Sequence, residues 1–226
     1  MKILVLGDSH TKVFTYCNKK QKNITFQIIN VGGATAQGSV NPNSETNALN
    51  IFKEGLKNIQ HDDYKYIIIN LGEVDCGFVI WYRKHKYNIS IEDQLKITTD
   101  NLFHFIKSEI LIYFNASKII INGSVLPTIK DNTDKKYLRG ARCQVNASQI
   151  ERTKLTINYN NILQKYCLVN GYNYMDITNN ILDNETKIVK TFFLNENVYD
   201  HHLDDEKTYN LWLDELYKII GDVNNN

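Results

Sequence analysis

No apolar run in this 226-residue chain approaches the ~20 residues that a membrane-spanning helix needs, so no membrane span is expected. Neither sign of charge is in excess, since 26 Lys+Arg face 25 Asp+Glu for a formal net charge of +1. That excludes an electrostatic grip on nucleic acid or on an anionic membrane as the main activity. The cysteines Cys17, Cys76, Cys143 and Cys167 are far apart and show no paired spacing, so free thiols in a reducing compartment are expected. No internal repeat and no low-complexity linker divides the chain, and one domain over residues 1–221 with a flexible tail at 222–226 is expected. An apolar strand begins by residue 2, which leaves no room for the charged, apolar and cleavage regions of a signal peptide, so a cytoplasmic location is expected. No Gly-x-Gly-x-x-Gly or Walker-type loop follows that first strand, which leaves a nucleotide- or flavin-binding function with little support.

What is present is an alternation of short apolar runs and amphipathic stretches. Residues 3–6, 25–30, 66–71, 118–122 and 172–177 are rich in β-branched and other apolar residues and read as strands. Between and after them, residues 11–19, 44–59, 90–114, 148–169 and 205–220 carry apolar side chains at helical spacing. Ser90 reads as an N-cap, with Asp93 three residues on. Residues 125–146 read as a long irregular loop, the kind that is often functional. Strand–helix alternation of this sort predicts a three-layer αβα sandwich with a five-stranded parallel sheet.

Several strands stop at small polar clusters: Gly7-Asp8-Ser9, Gly32-Gly33, Gly72-Glu73-Val74-Asp75 and Gly123-Ser124. In a parallel sheet these clusters meet at one edge, the crevice where open α/β sheets bind ligands. Ser9 would sit there on a rigid support as a candidate nucleophile, although the stretch by itself reads first as a helix start capped by Asp8 or Ser9. A nucleophilic serine needs a histidine base oriented by a third group. Among the six histidines, only Tyr199-Asp200-His201-His202-Leu203 sets histidine beside a carboxylate in a polar loop after the last strand. The adjacent histidines also invite a metal reading, but neighbouring side chains point differently and the remaining ligands are not evident.

These blocks, in this order, resemble the SGNH (GDSL-type) hydrolases over nearly the whole chain. The resemblance implies a flavodoxin-like αβα fold of SGNH type, no cofactor and no metal, and a small-molecule or glycan acyl ester as substrate. Serine esterase or acyltransferase chemistry follows, with an O-acetylated carbohydrate as the expected substrate. Carried over, Ser9 is the nucleophile, its own N–H and that of Gly33 line the oxyanion hole, and His202 is the general base.

The chain departs from the family's pattern twice. The third block usually reads Gly-x-Asn-Asp, whereas Gly72-Glu73-Val74-Asp75-Cys76 resembles a subgroup with Gly-Glu-Val/Ile-Asp-Cys and lacks the asparagine donor. Asn70, Asn122 or Ser124 are candidate substitutes, and Glu73 and Asp75 are candidates for recognising sugar hydroxyls or tuning His202. The late acid, normally three residues before the histidine, is Asp200, two before His202, with His201 the alternative base. Arg139 and Arg142 are candidates to clamp an acidic sugar or phosphate, and Trp81, Tyr82 and Tyr87 to stack on a sugar ring or pack a loop. The competing function is a catalytically inactive module of the same fold that binds a glycan or a protein. No oligomeric state is assigned.

Overall fold

A computed structural model describes residues 1–138 and 140–221. Arg139 and the 222–226 tail lie outside the described residues. Five strands, β1 (Lys2–Gly7), β2 (Thr25–Asn30), β3 (Tyr66–Asn70), β4 (Ile119–Asn122) and β5 (Asn173–Met175), form one sheet in the order β2-β1-β3-β4-β5. Every pairing is parallel, with Val5 level with Ile28 on one side and Ile68 on the other.

The strands are apolar on both faces because helices cover both. Leu4, Leu6, Ile67, Ile69, Ile119 and Ile121 pack beneath α2 (Ala48–Lys57), α4 (Ile91–Phe105) and α5 (Gln149–Asn170). The alternate residues Ile3, Val5, Ile68 and Ile120 pack against α1 (Lys12–Lys20) and α7 (Asp205–Ile220) on the other side. Burying each such side chain contributes about 1.5–3 kcal/mol, which fixes the register since a one-residue slip would exchange the two faces. The result is the expected αβα sandwich.

Local chemistry sets the helix starts. Ser90 accepts from the Asp93 N–H at 3.0 Å, Ser148 and Glu151 form a reciprocal capping box for α5, and Asp204 caps α7.

Several elements differ from the sequence expectation. The helix expected over 44–59 starts only at Ala48, after Asn47 takes a left-handed conformation at φ 52°. The helix expected over 90–114 widens into a π-helical turn at Ile106–Ile110. Residues after the third strand are helical: a π-helical turn at Asp75–Val79 runs into α3 (Ile80–Tyr87). Trp81, Tyr82 and Tyr87 therefore lie on a helix and not on a loop. The 125–146 segment begins with buried Val125, Leu126 and Ile129 and folds into 3-10 turns at Lys135–Tyr137 and Gly140–Gln144. A four-residue helix α6 (Thr178–Ile181) follows β5. No helix among the described residues is long and apolar enough to cross a membrane.

Candidate active site

The site is built at the carboxyl ends of β1 and β3. Gly7 ends β1 where a Cβ would lie 2.1 Å from the Asn70 carbonyl oxygen. Only glycine lets the two strands stay this close while the chain turns out of the sheet. Asp8 then caps a 3-10 turn at Ser9–Thr11, its carboxylate accepting the His10 N–H at 2.9 Å. Asn30 braces the turn from β2, donating to the Asp8 carbonyl at 2.6 Å and to Thr11 Oγ1 at 2.7 Å. Asp8 is thus the helix cap, and the Ser9 hydroxyl is left free for another partner.

That partner comes from the loop before α7. An antiparallel bridge between Leu194 and Leu203 and a bond from Asp204 N–H to the Phe193 carbonyl at 2.9 Å close this loop. Ser9 Oγ–H donates to His202 Nε2 at 2.8 Å, and His202 Nδ1–H donates to Asp200 Oδ1 at 2.6 Å. The same Asp200 oxygen accepts the His202 backbone N–H at 2.9 Å. This tight turn explains how an acid only two residues before the histidine reaches its ring: one carboxylate oxygen serves both the backbone and the side chain. The His201 ring, in contrast, makes no hydrogen bond through Nε2.

The surroundings hold His202 neutral. Burial and then the nearby His10 charge lower its pKa to about 4, against Asp200, which raises it. The His202 bonds hold Asp200 below its ordinary value despite partial burial. His10 is the opposite case. Burial alone would discharge it, but the carboxylates of Glu73, 3.7 Å away, and Asp8, bonded at 3.1 Å, hold it charged to about 9. Its ring stands 4.6 Å from that of His202, and His10 Nε2–H donates to the His201 carbonyl at 3.4 Å.

No family model and no curated relative matches the sequence, but solved structures of the same shape do. A Bacteroides fragilis protein described as an acylhydrolase has a TM-score of 0.62 at 15% identity, over 97% of this chain and 86% of its own. A GDSL-like lipase from Bacteroides thetaiotaomicron has 0.60 at 13%, over 97% and 87%. An acetyl xylan esterase has 0.51 at 12%, over 97% and 100%. The chain has the SGNH-hydrolase fold.

Within that fold the other predicted site residues take distinct places. Gly33 has φ 76° and closes the loop after β2, and its N–H has no acceptor among the described residues. Asp75 does not face a substrate: it is fully buried and accepts the N–H groups of Ala36 at 2.6 Å and Gln37 at 3.1 Å. It ties the third block to the loop that carries Gly33, and burial pushes its carboxyl up to about 7 against those two bonds. Glu73 is also buried, too deeply to meet a sugar hydroxyl at the surface, and it faces His10. Val74 is buried.

Of the three candidate donors, Asn70 lines the same cavity as Ser9 and accepts from Asn122 Nδ2 through its Oδ1. Asn122 is thereby committed to Asn70, and Ser124 is buried with its N–H bonded to Asn160 at 2.8 Å.

The cavity beside Ser9 and His202 measures about 230 Å³, with Val13, Val125, Leu203 and Trp212 as its apolar part and His10, Lys12, Asp200 and Asp205 among its charged groups. A second cleft of about 340 Å³ is lined by Phe78, Lys130, Lys135, Arg142 and Arg152. Phe78, in the wall of this second cleft, has the Arg142 guanidinium 4.3 Å over its ring and the His201 ring 6.2 Å away. Trp81 donates its indole N–H to the Cys76 carbonyl at 2.8 Å, and Tyr82 packs edge-on against Tyr87.

His10 is the site residue that no sequence motif singles out. Its adjacency to Ser9 was a signal, but its contacts to Glu73, His201 and His202 come from distant segments.

Proposed function

We propose that the protein is a serine esterase or acyltransferase that forms an acyl-enzyme on Ser9. The observation that carries this reading is the unbroken chain from Ser9 Oγ through His202 to Asp200, with links of 2.8 and 2.6 Å. Such a chain has a specific chemical use. His202 Nε2 takes the hydroxyl proton as Ser9 Oγ attacks the acyl carbon, and it returns a proton to the leaving alkoxide. Asp200 fixes the tautomer, keeping the proton on Nδ1, and stabilises the imidazolium formed in between. A histidine held near pKa 4 is neutral across the physiological range and available as a base.

The N–H groups of Ser9 and Gly33 are the donors for the oxyanion that develops at the acyl carbonyl. Each such donor is worth roughly 3 kcal/mol. Water or a second hydroxyl then resolves the acyl-enzyme.

The cavity of about 230 Å³ at Ser9 suits a small acyl group. Its volume, the polar cleft beyond Phe78 and the likeness to an acetyl xylan esterase support an O-acetylated carbohydrate as substrate. A non-catalytic binding module would be favoured by a Ser9 remote from any histidine, and the 2.8 Å contact counts against it.

Hydrolysis of p-nitrophenyl acetate by the wild type and by Ser9→Ala tests the reaction class. The wild type turns over and Ser9→Ala loses roughly 10⁴-fold or more in kcat, as when a triad member is removed. Activity that survives the substitution would remove Ser9 from the mechanism.

A further inference from the structure

The histidines around Ser9 hold an arrangement that acyl transfer does not use. One ring nitrogen from each of His10, His201 and His202 lies within 4.8 Å of the other two. In His10 and His202, Nδ1 is held by a carboxylate, Asp8 at 3.1 Å and Asp200 at 2.6 Å, which leaves Nε2 as the ligand atom. A carboxylate behind an imidazole is the usual outer support of a metal-bound histidine, orienting the ring and raising its basicity. His201 Nε2 is buried and has no hydrogen-bond partner.

A second observation points to the same place. Glu73 is 3% exposed, and neither of its carboxylate oxygens has a hydrogen-bond partner; Asp8 Oδ2 is also unpartnered and buried. Glu73 Oε2 stands 3.7 Å from His10 Nε2. Buried carboxylate oxygens without donors are costly, and the Glu73 carboxylate lies beside the His10 member of the group of ring nitrogens. A cation held by the three ring nitrogens is offset by the negative charge of these buried carboxylates.

We propose that His10, His201 and His202 form a site for a divalent transition metal of the zinc class, with Glu73 and Asp8 as countercharge, and that the bound metal blocks the triad by occupying His202 Nε2. Three imidazoles select Zn²⁺ and its neighbours over Mg²⁺ or Ca²⁺, which prefer oxygen. Zinc–nitrogen bonds are ~2.0–2.1 Å, so nitrogens up to 4.8 Å apart must close on the ion. Ser9 Oγ gives up its bond to His202, and His10 releases its proton as the metal replaces it. Metal binding stands on the histidine geometry alone, whereas the block on turnover rests on the hydrolase reading above.

Calorimetric titration of the full chain, stripped with EDTA and desalted, with zinc chloride tests the site, and cobalt(II) gives a visible-absorption readout of coordination. One zinc binds per chain. His201→Gln weakens it at least ~10-fold, the low end of what losing even an outer partner costs a metal site. Ser9→Ala binds zinc at least as tightly as wild type, because it removes the hydroxyl that competes for His202. At the same zinc concentration the melting temperature rises less for His201→Gln than for the wild type, with circular dichroism verifying that the variant is folded.

No binding by the wild type overturns the proposal. Binding that both His201→Gln and His202→Gln leave intact also overturns it, by placing the metal elsewhere, for instance on exposed His85 or His104. Zinc-reversible loss of p-nitrophenyl acetate hydrolysis, restored by EDTA, supports the block on the triad. If zinc binds as described and the metal-free protein hydrolyses nothing, the hydrolase reading fails and the metal site stands.

Discussion

The sharpest prediction concerns the acid limb of the pH–rate profile and its dependence on His10. An unperturbed histidine base would lose activity below about pH 6.5; His202, held near 4, keeps it well below that. A fall from 6.5 to about 4 is worth ~3.4 kcal/mol in favour of the neutral ring. Two unit charges 4.6 Å apart repel by ~3.6 kcal/mol at an effective dielectric of ~20. The His10 charge is therefore large enough to matter, although burial is the greater cause and Asp200 pulls the other way. Replacing His10 by glutamine removes the charge and keeps a polar side chain. The limb then rises by ~1–2 pH units, or ~1.4–2.7 kcal/mol. The assay is kcat/KM for p-nitrophenyl acetate at constant ionic strength with EDTA present, from about pH 3.5 to about 8, which reports the free enzyme's essential base. A wild-type limb near 6.5, or a folded His10→Gln variant whose limb does not move, would refute the electrostatic coupling.

Three further outcomes follow from the packing. His10 has a pKa raised from 6.5 to about 9, so its charged contacts stabilise the fold fully below 6.5 and are lost as pH rises through about 9; the melting temperature should fall over that interval, and much less in Glu73→Gln. Asp75→Asn leaves one of the two loop N–H groups facing an amide N–H, at ~1–3 kcal/mol; calorimetry should show a lower melting temperature, and kcat should fall because the Gly33 loop loses its anchor. Gly72 has φ 129° and a Cβ there would lie 2.3 Å from the Tyr159 ring, so Gly72→Ala combines overpacking with backbone strain at ~2–5 kcal/mol. Its urea midpoint should drop accordingly; an unchanged midpoint would mean that Tyr159 moves aside freely.

Much of the framework was legible in the chain because its signals are local. β2 matched the expected 25–30 span residue for residue, and β3 and α7 fell within a residue of theirs, since apolar runs and 3.6-residue spacing are properties of neighbouring residues. Asp204 and Ser90 cap their helices for the same reason. The helical turn after Gly72 was missed because Glu73-Val74-Asp75-Cys76 resembles punctuation locally. It is held as helix by contacts that join Asp75 to the loop after β2 and Tyr159 Oη–H to the Leu71 carbonyl at 2.9 Å.

What the sequence determined by itself was the order of elements, the sheet's parallel character and the set of polar clusters at strand ends, all fixed by short-range patterning. Tertiary structure alone decided which histidine meets Ser9, because the choice between His201 and His202 depends on a turn closed by Asp200, 191 to 193 residues away along the chain from the segment it serves. It also decided what Glu73, Asp75 and His10 do. A buried charge acquires its state and its role only from the groups that enclose it, and those groups come from widely separated segments of this chain.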